Sequence, residues 1–466
     1  MRGSVLGLAG LALLACNPLH TAQRPDEIRI ETGQSVWQTT GGEGAPAERW
    51  WSGFADPELD EAVRTLHAQN LDLSAAMTRL AQAKAAADLV GAALWPSVDA
   101  SGSAARARGY GFTGEAETNN QFSGAVAAGY EVDAWGKLGA TAKAAAYDHQ
   151  ASRFDVESLG TTLTAQLVDL WLTLIELRAG KALVERQIET NETQLELVRL
   201  RYGHGLTAAT AVLQQERQVH ATKGLLPGVV ARMETAEHQL AVLLGRPPRE
   251  GRGMGGTKVV LPAPRPLPPL GVPADLLMKR PDLRAARVRV AAADERVGAA
   301  LASHLPSFRL QASVGAGAQS FSDLLDRWIW SLTSSVVIPL IDGGRRRAEV
   351  DRARAATEGL LVNFKATYLR ALGEVEDALT LERTEAQRLE HLARELATAK
   401  TLLDETRTRY LEGLSDYLPV LTAIQAHQRA ERTWLTAART RLSHRVRLYR
   451  ALGGVSFATL RAGGGE

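Results

Sequence analysis

With Cys16 as its one cysteine in 466 residues, the chain cannot form an internal disulfide. The same scarcity excludes a thiolate zinc cluster, and the ten histidines contain no HxxxH or HxxH pair. Aromatic residues are only 5% of the chain, too few for an aromatic-filled globular core. Abundant Ala and Leu instead suit long, closely spaced helices. Neither charge sign dominates, with 54 Lys and Arg against 52 Asp and Glu, so no global field points to nucleic acid. No apolar run of 18 residues follows Ala15, so a mature chain that crosses a membrane must do so with strands. The glycine clusters at 253–256 and 315–317 lack a following helix of dinucleotide-binding type. The acidic run Glu374, Glu376 and Asp377 lies on a long helix without a cleft. No catalytic constellation and no cofactor site are read, and the chain is not read as an enzyme.

What is present begins at the N-terminus. Met1-Arg2 is a short positive start, and Val5 to Ala15 is an apolar run of signal-peptide length. Leu13-Leu14-Ala15-Cys16 resembles the bacterial lipobox, whose cysteine becomes the acylated first residue of the mature protein. An ordinary cleaved signal peptide with an incidental cysteine is the alternative. The resemblance implies a covalent lipid on Cys16, and Asn17, which is not Asp, implies sorting to the outer membrane.

The rest of the chain is written twice. Arg201-Tyr202-Gly203-His204-Gly205-Leu206-Thr207 reappears as Arg409-Tyr410-Leu411-Glu412-Gly413-Leu414-Ser415, offset by 208. Leu244-Gly245 matches Leu452-Gly453 at the same offset, Trp95-Pro96-Ser97 matches Leu305-Pro306-Ser307, and Gly136 matches Gly343. The Pro-rich stretch 262–273 between the copies can form neither a long helix nor a central strand. The expected domains are a signal peptide 1–15, a lipid-anchored segment 16–50, a first repeat 51–250, a linker 251–273, a second repeat 274–454 and a tail 455–466.

Each copy predicts the same series. A helix over 56–94 stops at Pro96. Alternating strands over 99–108 and 121–132 form a hairpin within about 97–134. A long helix follows over 137–202, about 100 Å at 1.5 Å per residue, and a second helix over 207–244. The second copy predicts helix 274–304, strands 308–316 and 328–340 in a hairpin within about 307–341, a long helix to Tyr410 and a last one to Leu452. Leu163, Leu167, Leu170, Leu174, Leu177, Val184, Ile188, Leu195 and Val198 make a heptad stripe that Lys181, Asn191 and Tyr202 interrupt. Val375, Leu389, Leu396, Leu403 and Tyr410 make the second. Helices this long must pack laterally on others.

Two hairpins supply four strands, and four cannot close a barrel. Bare edges are costly in lipid, so copies of the chain must share the wall. Three copies, with twelve strands, are the fewest that leave an opening. Trp95, Trp135, Trp328 and Trp330 fall near the hairpin ends, where interface aromatics belong.

Four motifs carry a family resemblance. Trp50-Trp51-Ser52-Gly53-Phe54-Ala55-Asp56-Pro57-Glu58-Leu59 and Tyr130-Glu131-Val132-Asp133-Ala134-Trp135-Gly136-Lys137 are two of them. Lys279-Arg280-Pro281-Asp282-Leu283-Arg284-Ala285-Ala286 and Pro339-Leu340-Ile341-Asp342-Gly343-Gly344-Arg345-Arg346 are the others. In this order they resemble the TolC-like outer-membrane efflux lipoproteins of the NodT and OprM branch, over about 50–453. The resemblance implies a mainly α fold with a transmembrane β-barrel portion: a trimeric channel-tunnel with four strands per protomer and a twelve-stranded barrel. It implies a passive conduit in a tripartite efflux system. Its partners would be two further copies, a periplasmic adaptor, an inner-membrane pump of the resistance-nodulation-division class and outer-membrane lipid, with no nucleic acid.

The two RYxxGL turns are expected to reverse the helices, with Gly205 and Gly413 left-handed. The resemblance adds that Gly205, Leu206, Thr207, Gly413, Leu414 and Ser415 dock on the adaptor. Arg409, Asp416 and Thr422 are candidate gate residues: relatives carry an acidic ring where Thr422 stands, and Arg409 with Asp416 read either as a gating ion pair or as two solvated surface charges. The alternatives, a periplasmic adaptor or a soluble coiled-coil protein, predict many strands with one long hairpin, or no hairpins at all.

Overall fold

The structure, a computed structural model, describes residues 20–24, 37, 49–110, 114–324 and 326–453, the side chains of 117, 277 and 278 excepted. Cys16, the signal peptide, most of the segment 16–50 and the tail 455–466 lie outside the described residues. The chain divides into two compact units.

The first unit, Arg79–Ser152 with Ala285–Lys365 and residues 20–24, holds the strands. β1 (Ser97–Tyr110), β2 (Ala116–Val132), β3 (Ser307–Ala318) and β4 (Trp328–Val337) form one antiparallel sheet in that order. The first hairpin, poor in β-formers, has the longer strands. Its Ala, Gly and Ser make it weak by propensity, and the ladder with β3 overrides that preference. β4 ends at Val337 rather than 340 because Pro339 has no N–H to give to a ladder.

Both hairpins run into long helices through the same device. Asp133 accepts from Leu138 N at 2.9 Å and Gly139 N at 2.7 Å, starting α3 (Lys137–Gly203). Asp342 accepts from Gly344 N and Arg346 N, starting α8 (Arg345–Leu411). The turn before each helix needs positive φ, which Gly136 (φ 70°) and Gly343 (φ 65°) supply. Trp135 Nε1 donates to Pro306 O at 2.6 Å, tying the base of one hairpin to the other.

The second unit, Arg153–Arg284 with Ala366–Glu466 and Glu31–Thr78, is helical. The helix expected over 56–94 is two, α1 (Pro57–Gln69) and α2 (Leu71–Gly91). The break falls at Asn70, whose extended backbone lets its side chain accept from Leu73 N. The helix expected over 207–244 is also two, α4 (Ala209–Lys223) and α5 (Leu225–Leu243), because Pro227 has no N–H for the turn at Gly224. Likewise the helix expected over 274–304 starts with the short α6 (Leu276–Lys279), and Pro281 opens α7 (Pro281–Ala302). The last helix, α9 (Tyr417–Ala451), is unbroken.

The motifs at the copy boundaries close this unit. Trp50 and Trp51 are buried, Trp50 stacked on Tyr449 at 5.0 Å and Trp51 edge-on to His67. Arg280 pairs with Asp282 and Glu374 and donates to Ala451 O at 3.0 Å, pinning the end of α9. Asn70 does the same in the first copy, donating to Leu243 O at 2.8 Å. Beside these, Gly245 (φ 74°) and Gly453 (φ 83°) take the left-handed turn that ends each copy.

Candidate functional site

The helical tips and the sheet both leave apolar side chains exposed. Each tip is the end of a long helix, a left-handed glycine and a returning helix. Leu206 N donates to Arg201 O at 2.9 Å and Leu414 N to Arg409 O at 2.8 Å, the same closure twice, with Gly205 at φ 69° and Gly413 at φ 78°. Leu206 and Leu414, 63% and 67% exposed, point away from the core beneath them. Thr207 and Ser415 are half-buried beside them.

The tips of the two copies pack together. Val198, Ala211, Tyr410, Tyr417, Val420, Leu421 and Ile424 form one buried cluster drawn from α3, α4, α8 and α9. The Arg201 guanidinium lies 4.6 Å over the Tyr410 ring and donates to Leu411 O at 3.3 Å. Tyr410 and Tyr417 meet edge to face at 5.3 Å. Burial, with Tyr410 alongside, pushes the Tyr417 phenol well above its ordinary value; it stays protonated and donates to Gln215 Oε1 at 2.6 Å.

Of the two readings of Arg409 and Asp416, the structure shows two solvated charges within one copy. Arg409 is exposed at the end of α8, and Asp416 is exposed at the start of α9 with no capping bond. Such a pair in water gains about 0–1 kcal/mol, too little to hold two mobile side chains. Thr422 faces solvent and donates only to Leu418 O in its own helix. At the tips Arg201 also crosses between copies, which pattern reading missed. Its partner Tyr410 read as one more stripe residue.

Above the tips the interruption at Asn191 becomes a buried amide ladder. Asn191 Nδ2 donates to Thr222 Oγ1 at 2.9 Å, and Gln428 Nε2 returns a bond to Asn191 Oδ1 at 3.0 Å. Gln215 and Gln218 extend it to α4. Lys181, by contrast, pairs with Glu185 on the helix surface, and Tyr202 is exposed.

The sheet has two chemically different faces. Register places Ser103 beside Ser123, and Ser313 beside Ser331, on one face, with Asp99, Gln311 and Thr333. Val98, Val126, Val314, Trp330, Leu332 and Val336 line the other, all exposed. β1 and β4 are its unpaired edges. Among the described residues no group of His, Cys, Asp or Glu is placed to hold a metal, and no helix is long and apolar enough to cross a membrane.

The sheet thus combines a polar face, an apolar face and two bare edges. The family model for outer membrane efflux proteins matches residues 62–246 and 272–454, one block per copy. The chain belongs to the outer membrane efflux protein family. It is 30% identical over 455 residues to a pyoverdine export outer membrane protein, OpmQ, of Pseudomonas putida, covering 95% of each chain. It is 24% identical to the cation efflux system protein CusC of Escherichia coli, over 87% of this chain and 88% of that one. The solved outer-membrane channel OprN superposes with a TM-score of 0.86 at 27% identity, over 93% of this chain and 98% of that chain. The efflux-family fold is thus the TolC-like one, mainly helical with strands, and its place is the outer membrane. A match that spans both copies does not favour the adaptor reading.

Proposed function

We propose that three copies of this efflux protein close a twelve-stranded barrel in the outer membrane and form a passive conduit out of the periplasm. The observation that carries this is the sheet with two bare edges, β1 and β4, and an apolar face. In lipid each unpaired backbone group costs several kcal/mol, so one copy's β4 must find the next copy's β1. The pump supplies the energy, and an acylated Cys16 adds a second membrane attachment. Cysteines placed on β1 and β4 should crosslink mature protein into dimers and trimers, and planar bilayers should show discrete conductance. A monomer that never crosslinks and never conducts overturns the reading.

Docking follows from the tips. Exposed Leu206 and Leu414, framed by Gly205, Thr207, Gly413 and Ser415, suit an apolar contact with a periplasmic adaptor. Leu206→Asp with Leu414→Asp should abolish export complementation while the trimer persists; unchanged export refutes the docking role. Arg409, Asp416 and Thr422 remain the gate reading, with Arg409 and Asp416 acting between copies. Asp416→Ala should then raise single-channel conductance, and an unaltered trace removes Asp416 from the gate.

A further inference from the structure

We propose that Arg106 and Arg108 form a binding site for the phosphate groups of an outer-leaflet glycolipid, a phosphorylated lipid A-type headgroup. The inference rests on the barrel reading above and starts from strand register. Residues of β1 that share a face with Val98 are Ala100, Gly102, Ala104, Arg106, Arg108 and Tyr110. Two guanidinium groups therefore sit on the apolar, lipid-facing side of the sheet rather than on the face that carries Asp99 and Ser103.

Their height along the sheet follows from the aromatic residues. Tyr130 and Phe308 mark the apolar face near the helices. At the far end Phe122 packs edge to face on Phe321 at 6.0 Å, and Trp328 lies nearby on β4. From Phe122 to Val132 a strand rises about 34 Å along its axis at about 3.4 Å per residue. At a tilt of about 40° that is about 26 Å, which matches the apolar band of an outer-membrane barrel at about 25 Å. Asn120 and Thr118 are the next residues of β2 on this face, one and two steps beyond the band, and they pair with Arg106 and Arg108. The helices attach at the opposite ends of the strands, so this end faces the exterior.

The chemistry there is a small polar cap on an apolar wall. Arg106 and Arg108 are exposed, and neither has an ion pair with a described carboxylate. Arginine binds phosphate bidentately through a planar fork, and it does so best beside a low-dielectric surface. Asn120 and Thr118 add amide and hydroxyl groups within reach of sugar hydroxyls. A pair of cations just outside the hydrocarbon, with no ion pair among the described residues, attracts anions at that level. A glycolipid with phosphates on a sugar core supplies both the charge and the hydroxyls.

The test uses the full-length protein in detergent with three probes: diphosphorylated lipid A, its dephosphorylated form and phosphatidylglycerol. Binding is read by native mass spectrometry and by the thermal unfolding midpoint. Lipid A should bind and raise the midpoint, and Arg106→Gln with Arg108→Gln should weaken it on the order of 30-fold. The double lysine variant should keep part of the affinity, and Asp99→Asn, on the opposite face, should change nothing. Equal binding of the dephosphorylated form overturns the phosphate assignment, and equal binding of phosphatidylglycerol overturns the glycolipid. Lipid A bound equally by the Gln variants overturns the site. A protein that conducts in bilayers but fails these tests loses only this inference, whereas one that never conducts loses the barrel as well.

Discussion

The two copies return from their tips differently. The first comes back as α4 and α5, broken at Gly224 and Pro227, while α9 of the second is continuous. At the matching positions the second copy has Arg432 and Leu435, both good helix formers. Yet the capping aspartates and the left-handed glycines recur in both, and so does the bond to the last-turn carbonyl, made by Asn70 in one copy and Arg280 in the other. Duplication has thus been held where the backbone has no alternative and has drifted where a helix tolerates many side chains.

That contrast is open to attack, beginning with the terminal glycines. A Cβ on Gly245 would lie 2.3 Å from Gln69 O, whereas one on Gly453 would lie 3.2 Å from Lys279 and Arg280 backbone. Gly245→Ala should cost about 4 kcal/mol of unfolding free energy in urea titration, and Gly453→Ala roughly half of that. Equal losses would mean that conformation, not contact, fixes both positions.

Next come the carbonyl-binding residues. Burial works against the charge of Arg280, and Asp282 and Glu374 outweigh it, holding the guanidinium protonated. Arg280→Ala should cost about 3 kcal/mol by the same titration. Asn70→Ala, which removes neutral bonds only, should cost about 1–2 kcal/mol.

A pH titration separates the copies again. His67, bonded to Thr164 Oγ1 at 2.9 Å, is pushed down to about 4 by burial, and the second copy has Leu277 at the matching position. The unfolded chain takes up a proton near pH 6.5, the folded chain only near pH 4. Stability is therefore complete above pH 6.5 and falls as pH drops toward 4, by up to about 3 kcal/mol. His67→Gln should flatten this slope in thermal melts across that range. The smallest effect belongs to the tips: Arg201→Ala should lose about 1 kcal/mol, and Arg409→Ala nothing measurable.

Much of this was open to reading from residues alone. Gly205 and Gly413 announced turns because only glycine accepts those angles cheaply, and the strands followed from alternation and the proline stops. The break at Asn70 was hidden, since no proline or glycine marks it and a side-chain bond within one turn makes it. Arg201 on Tyr410 was hidden for another reason. The two are joined by packing between copies, and no local period reports such a contact. Arg409 and Asp416 are the opposite case, close along the chain yet each exposed to water within one copy.

The amide ladder around Asn191 and Gln428 has a consequence for the setting in which this channel works. Every member of its centre, with Gln215, Gln218 and Thr222, is electrically neutral and cannot titrate. A seam of carboxylates and guanidinium groups would loosen whenever acidity or salinity around it changed. Amides hold the same alignment in brine, in acid and in fresh water alike.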